Sequence, residues 1–457
     1  TTRRDASSKF GAKNRWATFP SISLGWRISE EPFMSSVRKT WLDDLKIRAG
    51  YGTSGNSNIG AYNYAFQYAT GNAYMYSITG NDASTAPGYA ISNLGDPNAK
   101  WETIETINLG IDGTMIRNKL SLSLDFYIKN TTDMLVPANW SALAGNATKP
   151  SINIGDMRNI GADLSLSWRD RIGDFRYNLT GNISTYKNEV VRLGSSDLFN
   201  NTRLNQINIT TEGQPIGMFY GFNVVGLYKN AEEVLNYKNS NGKTVLPYAV
   251  TDPDDLNPDN WVGRYMLEDV NNDGYINAED RKIIGNPHPD FTGGLNVSLN
   301  YKNFDLSTYL YFSVGNEIFR HYMYYTHFAA LQSAYSKDRR DNSWHPTANP
   351  QGMYPLYATS KGEGTEAANE SHSQYVQNAS YLRMQTLTLG YSLPADLVDR
   401  LSLSKIRIYG QMSNVFTFTG YSGLEPEVRN MGDRSMGVDY GSYGVPRQFL
   451  LGINISF

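Results

Sequence analysis

The 457-residue chain carries 41 basic and 44 acidic side chains, a net charge of -3, with charged residues at only 19% and aromatics at 13%. This balance excludes a strongly basic nucleic-acid binder and an intrinsically disordered chain, which needs charge and few aromatics. No run approaches the ~18 apolar residues of a transmembrane helix, and Cys at 0 removes any disulfide framework, thiol nucleophile or Cys-based zinc site. A transmembrane β-barrel stays open, because its apolar residues occupy every second position. The opening TTRRDASSKFGAKNRW holds no apolar signal-peptide core, so the targeting segment of an exported protein would lie outside this sequence.

Taken in chain order, two-residue alternation predicts strands near 16–28, 44–54 and 101–112. In the next, Leu120, Leu122, Leu124, Phe126 and Ile128 share one face, opposite Ser121, Ser123, Asp125 and Tyr127. Strands follow near 151–168 and at 174–186, where Phe175, Tyr177, Leu179 and Ile183 oppose Asn178, Thr180, Asn182 and Ser184. After 291–301 comes 303–314, with Phe304, Leu306, Leu310, Phe312 and Val314 against Asp305, Ser307, Tyr309 and Tyr311. The last three lie near 380–391, 404–417 and 447–457. Helices are scarce, a short one fitting AEEVLNYKN in a loop. The reading is an all-β chain of about eleven strands, many near the roughly 9–11 residues that a tilted strand needs to cross a bilayer.

The gaps alternate short and long. The long ones are about 55–100, 131–150, 188–290, 315–379 and 418–446. A soluble sandwich has no reason to keep long loops at one end. A transmembrane antiparallel β-barrel of the bacterial outer membrane does, with short periplasmic turns and long outer loops. The terminal strand alternates Phe449, Leu451, Ile453, Ile455 and Phe457 with Gln448, Leu450, Gly452, Asn454 and Ser456. A last strand ending on an aromatic resembles the signal read by the barrel-assembly machinery. It sets the C-terminus on the periplasmic side and every long gap outside. Eleven antiparallel strands cannot close on themselves, since an odd count leaves the two edges parallel and an open edge cannot face lipid. The chain reads as half a barrel.

Ordered blocks then carry a family resemblance: NRWATFPSISLGWRISEEPFM (Asn14–Met34), LKIRAGYGTSGN (Leu45–Asn56), WETIETINLGIDG (Trp101–Gly113) and NIGDMRNIGADLSLSW (Asn153–Trp168). EGQPIGMFYGFNVVGLY (Glu212–Tyr228), NASYLRMQTLTLGYSLP (Asn378–Pro394), RIYGQMSNVFTFTGYSGLEPEV (Arg407–Val428) and the terminal strand continue it. Over nearly its whole length the chain resembles the C-terminal half of the SusC/RagA-type TonB-dependent outer-membrane transporters of Bacteroidetes. The resemblance implies a barrel of roughly 22 strands, import of large nutrients (glycans or peptides), a SusD-like surface lipoprotein as lid, and energy from the TonB complex. The family's plug, periplasmic N-terminal domains and first strands have no counterpart after Thr1. Hence the expectation is either a fragment or a barrel whose N-terminal half comes separately.

One motif stands apart, DVNNDGYINAED in the longest outer gap. Asp269, Asn271 and Asp273 fall at positions 1, 3 and 5 of a twelve-position calcium loop, Gly274 at its sharp turn and Tyr275 where a backbone carbonyl serves. Asn277 takes the ninth position and Asp280 stands in place of the usual bidentate Glu. Hard oxygens at these intervals suit structural Ca²⁺, with Mg²⁺ the alternative; an Asn-Asp-Gly turn without metal is the bland reading. The expected role is to pin a loop whose own core is thin.

No active site is found. His321, His327, His345 and His372 share no metal-ligand spacing, Gly52–Gly55 is not a nucleophile elbow, and the acids of 251–259 read as solvated loop groups. The chain is expected not to be an enzyme. Ligand or lid contact then falls to loop aromatics: Trp140, Tyr322, Tyr324, Tyr325 and Trp344, with Tyr62, Tyr64, Tyr68, Tyr74, Tyr76, Tyr354 and Tyr357 as further members. Packing within loops and interfacial girdles is the competing use of these rings. Besides the energised importer, two readings remain: a surface binding or adhesion barrel, and a passive porin.

Overall fold

A computed structural model describes residues 1–457 except 39, 71–75, 78–85, 87, 138–146, 195–196, 201, 203, 205, 329–334, 357–369, 401 and 429–431. The chain divides into two compact units: Thr1–Arg169 with Asn182–Asp197 and Thr211–Gln214, and Asp170–Gly181 with Leu198–Thr210 and Pro215–Phe457.

In the first unit the strands are β1 (Thr2–Ala6), β2 (Trp16–Arg27), β3 (Leu42–Asn56), β4 (Gln67–Thr70), β5 (Tyr89–Asn93), β6 (Glu102–Met115), β7 (Leu120–Pro137) and β8 (Ser151–Ile172). The end of β8 from Asp170 on belongs to the second unit, and the following strand, β9 (Phe175–Leu193), divides between the units. A run of antiparallel pairs joins β1-β2-β3-β6-β7-β8, while β4 and β5 make a separate hairpin. The register sets like against like. Tyr51 on β3 faces Ile107, which faces Ile128, which faces Ile160; Ala49, Leu109, Phe126 and Ala162 form the next row. The alternate positions stack Arg48, Gly110, Asp125 and Asp163. One face is therefore aliphatic and aromatic, with Leu24 70%, Ile107 52% and Phe126 50% exposed, and the other is polar. Side chains alternate sides of a pleated strand, so this segregation follows directly from the sequence period.

In the second unit, long strands β16 (Phe291–Tyr301), β17 (Phe304–Val314), β20 (Tyr381–Ser392), β21 (Lys405–Thr419) and β22 (Gln448–Ser456) make the run β16-β17-β20-β21-β22. A two-residue turn, Lys302–Asn303, joins β16 to β17, with Lys302 at φ +51°. The remaining strands belong to the loops. β10 (Leu198–Asn200), β11 (Asn208–Thr210), β12 (Met218–Gly221) and β15 (Lys282–Gly285) form a four-stranded sheet. β13 (Val224–Leu227) pairs with β14 (Tyr265–Leu267), and β18 (Glu317–Phe319) with β19 (Val376–Asn378). The short helix expected at 231–239 is Ala231–Asn236, capped by the Asn230 side chain, which accepts from the Glu233 N–H at 2.8 Å.

All eleven expected strands form. β1 is additional: TRRDA has no apolar alternation, pairs with β2 along the backbone and lays Arg4 over the Trp16 ring at 5.1 Å. With it the paired long-sheet strands among the described residues number twelve, which removes the odd count expected from sequence. β7 and β9 also run beyond their expected limits into the long gaps, and β8 runs on to Ile172 at the short turn.

Candidate functional site

The loops of the second unit are a folded module with a conventional interior. Leu204, Ile207, Phe219, Phe222, Val245, Tyr265, Leu267 and Ile276 pack with Phe319, Met323, Phe328, Tyr354, Tyr375 and Val438. These residues come from three separate long gaps, and each buried aliphatic or aromatic side chain contributes about 1.5–3 kcal/mol. The thin loop core expected from sequence is thus corrected. The core is substantial, and it was hidden because its members follow no fixed period.

Buried polar groups tie the segments together. Arg281 sits over the Phe222 ring at 5.1 Å, donates to Gln206 Oε1 at 2.8 Å and pairs with Glu370. Arg339, 6% exposed, donates to the carbonyls of His327 (3.0 Å) and Pro355 (2.6 Å). His327 shares Asp338 with the Tyr354 hydroxyl, at 3.2 and 2.6 Å. Burial pushes the pKa of His327 below its usual value, against the opposing pull of Asp338, and burial lowers His288 and His321 as well.

The twelve-residue motif forms a tight loop within this module. Gly274 adopts φ +85° and Asn272 φ +62°, a left-handed region that glycine occupies without strain. Asp269, 6% exposed, accepts from the Gly274 N–H at 2.9 Å and from Asn239 at 2.8 Å through Oδ2, while its Oδ1 is buried without a hydrogen-bond partner. Asn271 Oδ1 accepts from the Asp273 N–H (2.9 Å), and Asp273 Oδ1 from the Tyr275 N–H (2.8 Å). Lys243 donates to the Asp273 carbonyl and lies over the Tyr275 ring.

Asp280, fully buried, accepts from Val270 N–H and Asn277 N–H, both at 2.8–2.9 Å, closing a capping box with Asn277. Burial raises its pKa. Among the described residues, no three His, Cys, Asp or Glu side chains converge as a metal-ligating cluster. Any cation here would rely on mixed oxygens. The orphaned Asp269 Oδ1 fits such a role; Asp280, held by two backbone N–H groups, acts first as a clamp.

The loop aromatics divide. Tyr322, Tyr324 and Tyr325 gather beside His321, with Tyr324 and Tyr325 edge-on at 5.0 Å and His321 4.8 Å from Tyr440. Tyr325 and Tyr440 are exposed; Tyr322 and Tyr324 pack against the core. Trp344, by contrast, is 3% exposed and serves loop packing in this structure. It borders a cleft of about 250 Å³ with Leu227, Lys229 and Met353. Tyr354 is part of the core, whereas Trp140, Tyr74 and Tyr357 lie outside the described residues. In the first unit Tyr62, Tyr68 and Tyr76 are exposed on the 55–100 loop.

On the terminal strand Phe449, Leu451, Ile453, Ile455 and Phe457 are between 50% and 93% exposed. Ion pairs that sequence reading missed mark the polar face: Arg48 with Asp112 (2.6 Å) and Asp125 (3.0 Å), and Arg407 with Asp305 (2.5 Å). Their partners are adjacent only once strand register is known.

Comparison with known proteins gives consistent matches. The model of the TonB dependent receptor-like β-barrel family matches residues 1–267. TonB-dependent receptor P3 of Formosa agariphila is 32% identical over the whole chain, and TonB-dependent receptor SusC of Bacteroides thetaiotaomicron 28%. The chain spans 43% of the first and 42% of the second. Among solved structures, the RagAB peptide transporter matches all of the chain at 26% identity and TM-score 0.77, over 45% of its own length. With its two-faced strands, its long outer loops and a family match over more than half its length, this chain belongs to the TonB-dependent receptors, as a portion of their β-barrel.

Proposed function

We propose that the chain forms the C-terminal part of the barrel wall, and the outer loops, of an energised importer in the bacterial outer membrane. Its cargo would be large nutrients, oligosaccharides or peptides. The observation that carries this reading is the two-faced strand set topped by a folded loop module. The apolar face suits lipid and the polar face a watery lumen, and the module gives a lid something rigid to close against. Likeness to SusC and to the RagAB peptide transporter supports it.

In this reading a SusD-like lipoprotein covers the loops, an N-terminal half with plug completes the barrel, and the TonB complex pulls on that plug. Exposed Tyr325 and Tyr440 are the aromatic candidates for cargo or lid. The chain itself supplies wall and loops, with no chemistry. The 269–280 loop takes Ca²⁺ as a structural ion, or Mg²⁺, through Asp269, Asn271, Asp273, the Tyr275 carbonyl, Asn277 and Asp280, and holds the loop's turn in place.

The test is purification of this chain from outer membranes in mild detergent, with every accompanying polypeptide identified, and uptake measured with and without TonB. Co-purification of plug-bearing barrel segments and a lipoprotein, with TonB-dependent uptake, is expected. A closed barrel of this chain alone, or uptake unaffected by loss of TonB, would overturn the proposal.

A further inference from the structure

We infer that a pocket at the outer ends of β17 and β20 binds the cationic side chain of a peptide, lysyl or arginyl. It lies where Ser313 and Tyr381 pair across the sheet and encloses about 170 Å³. Its walls are apolar: Pro287, Pro289 and Pro426, with Ile318, Val428 and the Tyr381 ring. Among the described residues the charged side chains that line it are Glu317 and Glu427.

The nearby cation is already engaged. Arg383, whose side chain is 3% exposed, donates to Glu425, to Glu427 Oε2 at 3.0 Å and to Thr417 Oγ1 at 3.0 Å. Glu317 Oε2 accepts the Asn286 N–H at 2.7 Å. Glu425 and Glu427 thus share one guanidinium, while Glu317 is engaged by a backbone N–H. Each pocket carboxylate accepts through Oε2.

Negative charge beside apolar walls favours a cation on an alkyl stem. The stem covers the prolines, and the head group finds carboxylate oxygens for charge-assisted hydrogen bonds. A bare metal ion would leave the apolar walls without a partner. A neutral sugar ring would find polar partners in Ser313 and Asn316 but bring no charge to the two carboxylates, whereas an amino sugar shares the charge. The inference names one cargo feature within the import reading, and its test separates the two.

The probes are Nα-acetyl-argininamide and Nα-acetyl-lysinamide, titrated by calorimetry into the detergent-purified transporter complex. Nα-acetyl-citrullinamide is the neutral control and glucosamine the amino-sugar arm. The cationic amides should bind about tenfold more tightly than the citrulline amide, the scale of one charge-assisted hydrogen bond. Glu317→Gln with Glu427→Gln should erase that difference, and Val428→Lys, which adds a competing ammonium to the lining, should erase it with both carboxylates kept. Equal affinity for the arginine and citrulline amides overturns the inference, as does undiminished discrimination in the variants or tighter binding of glucosamine. The unmodified complex alone decides the charge question should a variant not fold. Charge-dependent binding without uptake would count against import and leave the pocket standing; uptake without charge-dependent binding would do the reverse.

Discussion

Arg48 on β3 reaches over Gly110 of β6 to Asp125 on β7, two strands away, at 3.0 Å. The glycine makes the crossing possible. A Cβ there would stand 2.6 Å from the guanidinium carbon and 2.7 Å from Asp125 Oδ1. The second unit repeats the device: Gly390 lies under the Arg407–Asp305 pair, where a Cβ would meet both groups at 2.5 Å. Gly110→Ala should therefore swing Arg48 off Asp125 while sparing Asp112, costing about 1 kcal/mol. Arg48→Leu should cost more, because both carboxylates lose their partner. Urea unfolding in detergent micelles of the two variants checks the order; equal stability of wild type and Gly110→Ala would refute the bridging role.

Glu370 anchors the loop module through Arg281. With side-chain exposures of 18% and 8%, removal of the acid leaves a buried guanidinium whose Nε already lacks a partner. Glu370→Ala should destabilise the module by about 3 kcal/mol, read as faster amide exchange across 206–222 and 281–285. Unchanged exchange there would rule out the anchor.

The module should also weaken in acid. His288, His321 and His327 are held by burial below the ordinary 6.5. As pH falls through about 6.5, the unfolded loops take up protons that the folded ones resist, so proton uptake favours the unfolded form. The histidine contribution is complete above that pH and is lost progressively below it. Limited proteolysis at pH 7.5 and pH 5.5 checks the sign, and His327→Gln should flatten the difference. Greater resistance at pH 5.5 would contradict it.

Leu451 is 87% exposed on β22, as a lipid-facing residue is in the absence of lipid. Leu451→Arg should cost about 2–4 kcal/mol near mid-bilayer and less towards either surface. Recovery of heat-resistant transporter from outer membranes reports it, with Asn454→Arg on the opposite face as the tolerated control. Equal recovery of both would mean the face assignment is wrong.

Calcium should protect the 269–280 loop from protease, and chelation should remove the protection. Asp269→Ala, which deletes the orphaned Oδ1, should abolish the calcium response. A response that survives the substitution would move the ion elsewhere.

The strands were legible because a sheet with two unlike faces imposes a two-residue period: Leu120 to Ile128 and Ser121 to Tyr127 alternate without a break. β1 was not, since Arg3, Arg4 and Asp5 give no apolar signal, and the seat of Arg4 over the Trp16 ring shows only once the register is known. The tight turn at 269–280 was legible as spacing, yet the clamping role of Asp280 required seeing which N–H groups turn towards it. Least legible was the loop interior. Phe219, Tyr265, Phe319 and Tyr375 meet from separate gaps, so an aromatic there reads equally as surface or core, and Trp344 was taken for a contact residue when its side chain is buried.

That interior has a consequence for how the chain fails. The loop module is held by water expelling apolar groups, and weakens on cooling, in urea and on protonation of its histidines. The strands keep their apolar face towards hydrocarbon, where that driving force is absent and backbone pairing carries the structure. Changing the detergent should disturb the strands and leave the module intact, and mild denaturant should do the opposite. One polypeptide then melts twice, with the loop transition lost first and the strands persisting after the module has come apart.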